Sequence, residues 1–256
     1  MTEAVRTVDL NSDMGEGFGS YRMGDDDAIL KIVTSANVAC GFHAGDPDIM
    51  ARTFRTAKER GVAIGAHPGY ADLWGFGRRV IPHSTGEIER FVAYQIGAAQ
   101  ALATYAGHKI TYVKAHGALG NLSAADADVA RAVARAVSAV DPSLILLCIA
   151  RSEQVRAAEE ARLQARHEIF ADRAYTDEGQ LVSRSLPGAV IHDPDEASAR
   201  IVRMVSDGAI ETASGKRLKT PIDSICVHSD TPTAVALAGQ VRSALEAGGI
   251  AVKNFA

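Results

Sequence analysis

Ser35-Ala-Asn-Val-Ala39 leads into Cys40-Gly-Phe-His-Ala-Gly-Asp46-Pro47. Residues 46–60 then carry Ile49, Met50, Thr53, Phe54 and Ala57 along one stripe, before Val62-Ala-Ile-Gly-Ala66 begins. A short apolar run, a glycine-containing polar turn, a helical stripe and a second apolar run make one β–α–β unit. Asp46 supplies an N-cap acceptor and Pro47 a fixed first-turn φ. The same alternation extends in both directions. Strands are expected over 7–11, 35–39, 62–66, 111–114, 144–149, 168–170 and 224–227, with 251–253 as a candidate closing piece. Helical stripes run through Val129, Val133 and Val137 within 126–140, and through Leu237, Val241 and Leu245 within 233–247. Ser84-x-x-Glu87 reads as a capping box ahead of 88–105, and Asp193-Pro194 as another helix start. Residues 171–189 and 208–218 read as long loops or a small hairpin. Strand and helix alternating about seven times predict an α/β fold. The expected architecture is a single-domain, seven-stranded parallel β/α barrel, TIM-like, spanning 1–256; an open doubly wound sheet is the alternative.

The chain has 256 residues, 27 Lys+Arg against 31 Asp+Glu, and a net charge of −4. That balance carries no electrostatic footprint for nucleic acid or an anionic membrane. The longest uninterrupted apolar run, 144–150, is far short of the roughly 20 residues that a bilayer requires. Residues 1–7 lack the basic and apolar regions of a secretion signal, so a cytoplasmic protein is expected. Cys40, Cys148 and Cys226 have no C-x-x-C spacing and sit at or within apolar runs, as buried free thiols do. Walker A, H-E-x-x-H and G-x-S-x-G patterns are all absent from the sequence.

The informative feature is where the unusual polar residues fall. After the first strand come Asn11, Asp13 and Glu16; after the second, His43 and Asp46; after the third, His67 and then Arg78-Arg79. The fourth leads to Lys114 and His116, the sixth to Asp172-Arg173, and the seventh to His228 and Asp230. In a parallel barrel all these strand ends meet at one face, the face that carries active sites. Four imidazoles, several carboxylates and a lysine would line one bowl. A lysine ending an apolar strand is expected to be ion-paired or functional. A divalent ion could be held there by Asp13 with His43, His67 or His116, since nitrogen and oxygen donors suit such ions.

Asn11-Ser-Asp-Met-Gly-Glu-Gly-Phe-Gly19, Ser35 to Asp46, Ile64-Gly-Ala-His-Pro-Gly-Tyr70 with Gly75-Phe-Gly-Arg-Arg79, Lys114-Ala-His-Gly-Ala-Leu119, Phe170-Ala-Asp-Arg-Ala-Tyr175 and Ile225-Cys-Val-His228 together resemble the LamB/YcsF family. The resemblance covers nearly the whole chain. It implies a seven-stranded barrel similar to the glycoside hydrolase/deacetylase superfamily. It also implies opening of 5-oxoproline (pyroglutamate) to glutamate coupled to ATP hydrolysis, with Mg2+ as a candidate ion and separate B and C subunits as partners. The family pattern usually has Cys at Ser12, Pro at Ala115, Tyr at Gly120 and Gly at Ser229, departures that bear on the substrate rather than on the fold. On this reading His43, His67 or His116 is the general base, oriented by Asp13 or Glu16, and Lys114 stabilises developing negative charge. Arg78 or Arg79 would hold the substrate carboxylate, with Asn11, Asp46, Asp172, Arg173, His228 and Asp230 as further substrate contacts. The other readings are a stand-alone metal-dependent deacetylase or amidohydrolase, and a non-catalytic scaffold subunit.

Overall fold

The computed structural model describes residues 6–229 and 233–256. The strands are β1 (Thr7–Met14), β2 (Ser35–Ala39), β3 (Ala63–His67), β4 (Ile110–Val113), β5 (Ile145–Ile149), β6 (Ala165–Phe170), β7 (Ala209–Glu211), β8 (Arg217–Lys219), β9 (Ser224–Val227) and β10 (Ala251–Val252). The helices are α1 (Asp26–Ile29), α2 (Pro47–Glu59), α3 (Thr85–Tyr105), α4 (Gly117–Ala125), α5 (Ala127–Val140), α6 (Glu153–Glu160), α7 (Pro194–Asp207) and α8 (Ala234–Ala247). Seven strands pair in the order β1-β2-β3-β4-β5-β6-β9, all parallel, and β9 returns to β1 to close the cylinder. The expected barrel is therefore present. The tail does not close it: β10 pairs beside β1 at Thr7 and Val8, where β1 has room at its start, and closure falls to Asp9–Ser12 against Ser224–Val227. Residues 208–218 resolve into the antiparallel β7–β8 hairpin.

The helical stripes bury the faces that their spacing marks. Ile49, Met50, Phe54 and Ala57 of α2, Val129, Val133 and Val137 of α5, and Val241 and Leu245 of α8 are all buried, with Leu237 partly buried against the core. The Ser84–Glu87 capping box is formed in both directions. Helix α4 has no counterpart among the sequence signals. It is nine residues of Gly, Ala, Ser, Leu and Asn whose small side chains let it lie close to the strand ends, leaving no charged face to mark it. No helix among the described residues is long and apolar enough to cross a membrane.

The inside of the cylinder is polar along β1, with Ile145 and Leu147 of β5 packed against Tyr112 as an apolar counterpart. Along β1, Val8, Leu10 and Met14 join the apolar core, whereas Asp9, Asn11 and Asp13 face inward by the two-residue alternation of a strand. Each inward group is hydrogen-bonded, as burial demands. Asn11 donates to Glu168 at 2.9 Å and to Ser224 at 2.7 Å. Asn37 donates to Asn11 at 2.7 Å and to Asp13 at 2.8 Å, and the Tyr112 hydroxyl donates to Asn37 at 2.7 Å. The Tyr112 ring lies over Gly65, where a Cβ would sit 2.4 Å from a ring carbon. Gly65→Ala is therefore expected to destabilise the fold by about 1–3 kcal/mol through overpacking, read as a lower midpoint in urea.

Asp9 forms the bottom layer, accepting from Thr34 at 2.6 Å, from Ser35 at 2.7 Å and from Ser224. Burial raises its pKa to about 6 against the opposing pull of these hydroxyls. A carboxyl whose pKa rises on folding holds its proton longer in the native state, so its contribution to stability is lost as pH climbs from about 4 to about 6. Relative to the wild type, Asp9→Asn should gain roughly 3 kcal/mol over that interval. Chemical denaturation of both proteins at pH 4 and pH 6.5 checks this, and parallel pH dependences would remove Asp9 as the cause.

Candidate active site

The strand ends gather an acidic, imidazole-rich cluster around one buried lysine. Lys114 leaves β4 pointing inward, and its Nζ lies 2.9 Å from Asp13 Oδ1, 3.0 Å from Glu168 Oε1, 3.1 Å from Cys226 Sγ and 3.4 Å from Asn11 Oδ1. Burial disfavours its charge, but Asp13, Cys226 and Glu168 outweigh that and hold its pKa well above the ordinary lysine value. Burial likewise opposes charge on Asp13, and His67 and Lys114 reverse the effect, holding it well below the usual carboxylate range. Glu168 goes the other way: burial exceeds the pull of Lys114 and its pKa is raised.

Above the lysine sit three stacked or edge-on imidazoles. His67 Nδ1 lies 2.8 Å from the Lys114 carbonyl, and His116 Nε2 lies 2.8 Å from the Phe76 carbonyl. A carbonyl only accepts, so both of these nitrogens carry hydrogen. Their other nitrogens, His67 Nε2 and His116 Nδ1, face each other at 3.0 Å. Two lone pairs at that separation require a proton or a cation between them. His67 Nε2 also lies 3.3 Å from Asp13 Oδ2. His43 stacks on His116 with ring centres 3.6 Å apart, and neither of its ring nitrogens has a hydrogen-bond partner among the described residues. Burial, then His116 and His67, push its pKa well below the ordinary histidine value, and burial and His67 push His116 to about 3. Gly77, at φ +61°, closes over the stack; a Cβ there would meet His43 at 2.7 Å and His116 at 2.8 Å.

Glu16, His43, His67 and His116 each present one ligand atom within 4.8 Å of the others. Three imidazoles and a carboxylate, with two tautomers fixed by carbonyls so that bare nitrogens converge, fit a divalent transition ion. The carboxylate grouped with the histidines is Glu16; Asp13 groups instead with Cys226 and His228.

A cavity of about 580 Å3 opens at this end of the barrel. Asp13, His67, Lys114, His116 and Glu168 form its inner wall, and Arg78, Arg173, Arg184 and His228 its outer wall. His228 Nδ1 lies 2.8 Å from Asp172, so Nδ1 donates and Nε2 accepts, here from Arg184 at 3.1 Å. Burial works against the Asp172 charge, but His228 holds its pKa below the usual range.

Other residues singled out in the sequence lie off the cavity. Arg79 pairs with Asp72, pinning the loop after β3. Asp46 caps α2, accepting from the backbone of Asp48 and Ile49, and also holds the Gly19 amide. Asn11 lies beneath the cavity and orients Glu168, and His43 is sealed behind His116. Asp230 lies outside the described residues. Glu168 and Arg184 emerge only in three dimensions. Glu168 has the sequence signal of a carboxylate inside an apolar strand; Arg184 has none within its irregular loop.

A parallel β/α barrel with a polar cavity at the C-terminal mouth defines a class of enzymes built on strand-end side chains. Residues 8–256 match the LamB/YcsF family, and the chain belongs to it. It is 62% identical to the A subunit of 5-oxoprolinase from Gluconobacter oxydans, over 97% of this chain and 98% of that one. It is 60% identical to the protein of the same name from Azorhizobium caulinodans, over 98% and 99%. Among solved structures it resembles a lactam utilization protein from Thermus thermophilus, with a TM-score of 0.92 and 44% identity over 97% of this chain and 100% of that one.

Proposed function

We propose that this chain is the A subunit of a cytoplasmic ATP-dependent 5-oxoprolinase, opening the lactam of 5-oxo-L-proline to L-glutamate together with B and C subunits. The carrying observation is the convergence of Asp13, His67, Lys114 and His116 on one cavity, in a chain 62% identical to a protein of that name.

A five-membered lactam is a resonance-stabilised amide, so water attacks it only once the carbonyl is activated. Phosphorylation of the lactam oxygen by ATP supplies that activation; water then adds to the carbon, the C–N bond breaks as the ring nitrogen takes up a proton, and a second water releases phosphate from the acyl phosphate so formed. No Walker A loop is present, which fits nucleotide chemistry carried by the partner subunits. Of the three histidines, His67 is best placed as base: it lines the cavity, its Nδ1 hydrogen is fixed on the Lys114 carbonyl, and Asp13 stands 3.3 Å from Nε2, the nitrogen that would take up and pass on the proton. Lys114, hydrogen-bonded to Asp13, meets negative charge developing on the former carbonyl oxygen. Arg78 stands across the cavity for the substrate carboxylate.

Asp13→Ala is expected to abolish glutamate formation in the reconstituted complex while the subunits still co-elute; wild-type turnover would refute the assignment. The Glu16–His43–His67–His116 donor set favours a second reading, a metal-dependent amidohydrolase in which the ion would polarise the carbonyl. Turnover by the chain alone, without ATP and abolished by chelation, would select it.

A further inference from the structure

The outer half of the cavity differs in charge from the inner half. Arg173 and Arg184 both reach its wall from the loop after β6, and Arg78 faces it from the loop after β3. Arg173 is 4% exposed, yet among the described residues its guanidinium hydrogen-bonds only to carbonyls, those of Val182 at 2.6 Å and Ala189 at 3.4 Å. Arg184 donates to His228 Nε2. Neither arginine has a carboxylate within 4 Å among the described residues. The nearby carboxylate, Asp172, has both oxygens committed to His228 Nδ1. Burial, and then the positive charge of Arg184, lower the Arg173 pKa to about 10. Like charges held together in a half-buried wall are an electrostatic cost that an entering dianion would remove.

Size points the same way. 5-Oxoproline has nine non-hydrogen atoms; at no more than the ~30 Å3 that a water molecule occupies in the liquid, each, they fill less than about half of the cavity. Its single carboxylate is matched by one guanidinium fork. Two further guanidiniums and the remaining space are unaccounted for by that substrate alone.

We propose that Arg173 and Arg184 form a phosphoryl subsite, so that this barrel takes a dianionic phosphoryl group beside the lactam. The inference rests on the lactam-opening reading for the identity of the neighbouring group, but the subsite itself is defined by the arginines. The phosphoryl group has two sources, a phosphorylated lactam or the terminal phosphate of a nucleotide, and both present the same chemistry to the arginine forks.

Titrating the full chain calorimetrically with inorganic phosphate tests it, using acetyl phosphate and a non-hydrolysable ATP analogue as competitors. Saturable phosphate binding is expected, weakened at least tenfold in Arg184→Gln, partly retained in Arg184→Lys, and unchanged in the surface control Arg135→Gln. Arg184 is solvent-exposed, so its variants are expected to keep the wild-type circular dichroism spectrum. Displacement by acetyl phosphate alone assigns the source to an acyl-phosphate-like substrate; displacement by the nucleotide analogue assigns it to the nucleotide. Absence of saturable binding, or equal affinity in Arg184→Gln, overturns the subsite. The assembled complex is assayed in parallel with 5-oxoproline. Turnover without phosphate binding removes this inference and leaves the proposed function, whereas phosphate binding without turnover does the reverse.

Discussion

Replacing Lys114 with methionine is expected to abolish turnover and to lower the unfolding temperature by about 10 °C, because a buried ion pair broken from one side costs about 3–5 kcal/mol. The lysine is 5% exposed and its ammonium bridges Asp13 and Glu168; without it two carboxylates face each other inside the cylinder. One of them would take up a proton, and the hydrogen bonds from Asn37 to Asp13 and from Asn11 to Glu168 would reorganise around the change. The double variant Lys114→Met with Glu168→Gln removes one of the stranded charges. It should recover part of the thermal stability and none of the activity. Differential scanning calorimetry separates the two effects, and an unshifted transition in the single variant would show that the lysine carries no structural weight.

Conversion of His67 to glutamine should lower kcat by ~10²–10⁴, the usual contribution of a positioned general base. Glutamine can still donate towards the Lys114 carbonyl that His67 Nδ1 now meets, so the loss reflects the missing basic nitrogen rather than a collapsed loop. His228→Gln, by contrast, disturbs the Asp172 and Arg184 contacts on the outer wall and leaves His67 in place. A larger kcat loss in the His228 variant than in the His67 variant would move the base to the outer wall. Metal content of the purified chain, measured before and after the His67 change, tests the second reading on the same samples: an ion bound by the wild type and lost in the variant would place His67 among its ligands.

Much of the fold was legible because the β–α–β alternation is written in local patterns. The stripe of α2, the valines of α5 and the capping box at Ser84 each follow from helical periodicity or cap chemistry, and each is formed. Strand ends were harder. β1 runs on to Met14 and β6 begins at Ala165, because hydrogen bonding to neighbouring strands extends both past their apolar stretches. The strand-end histidines and acids could be listed from the chain, but their division of labour could not. Arg78 and Arg79 are adjacent in sequence, and only the packing sends one to the cavity and the other to Asp72. Glu168 lies in a stretch that reads as an ordinary buried strand; its meaning comes from Lys114, far earlier in the chain.

The polar interior of the cylinder sets limits on how this protein can be altered. Hydrocarbon cores tolerate exchange of one aliphatic residue for another of similar volume, since their contacts have no direction. Here the centre is wired by oriented donors and acceptors from Asn11, Asn37 and Tyr112, so a change at one position dictates the partner at the next. Apart from the Asp9 carboxyl, whose charge burial opposes, gains in heat resistance must therefore come from the outer jacket, where helices such as α5 meet their neighbours through alanine and valine. The rest of the inner lattice will accept only coordinated replacements.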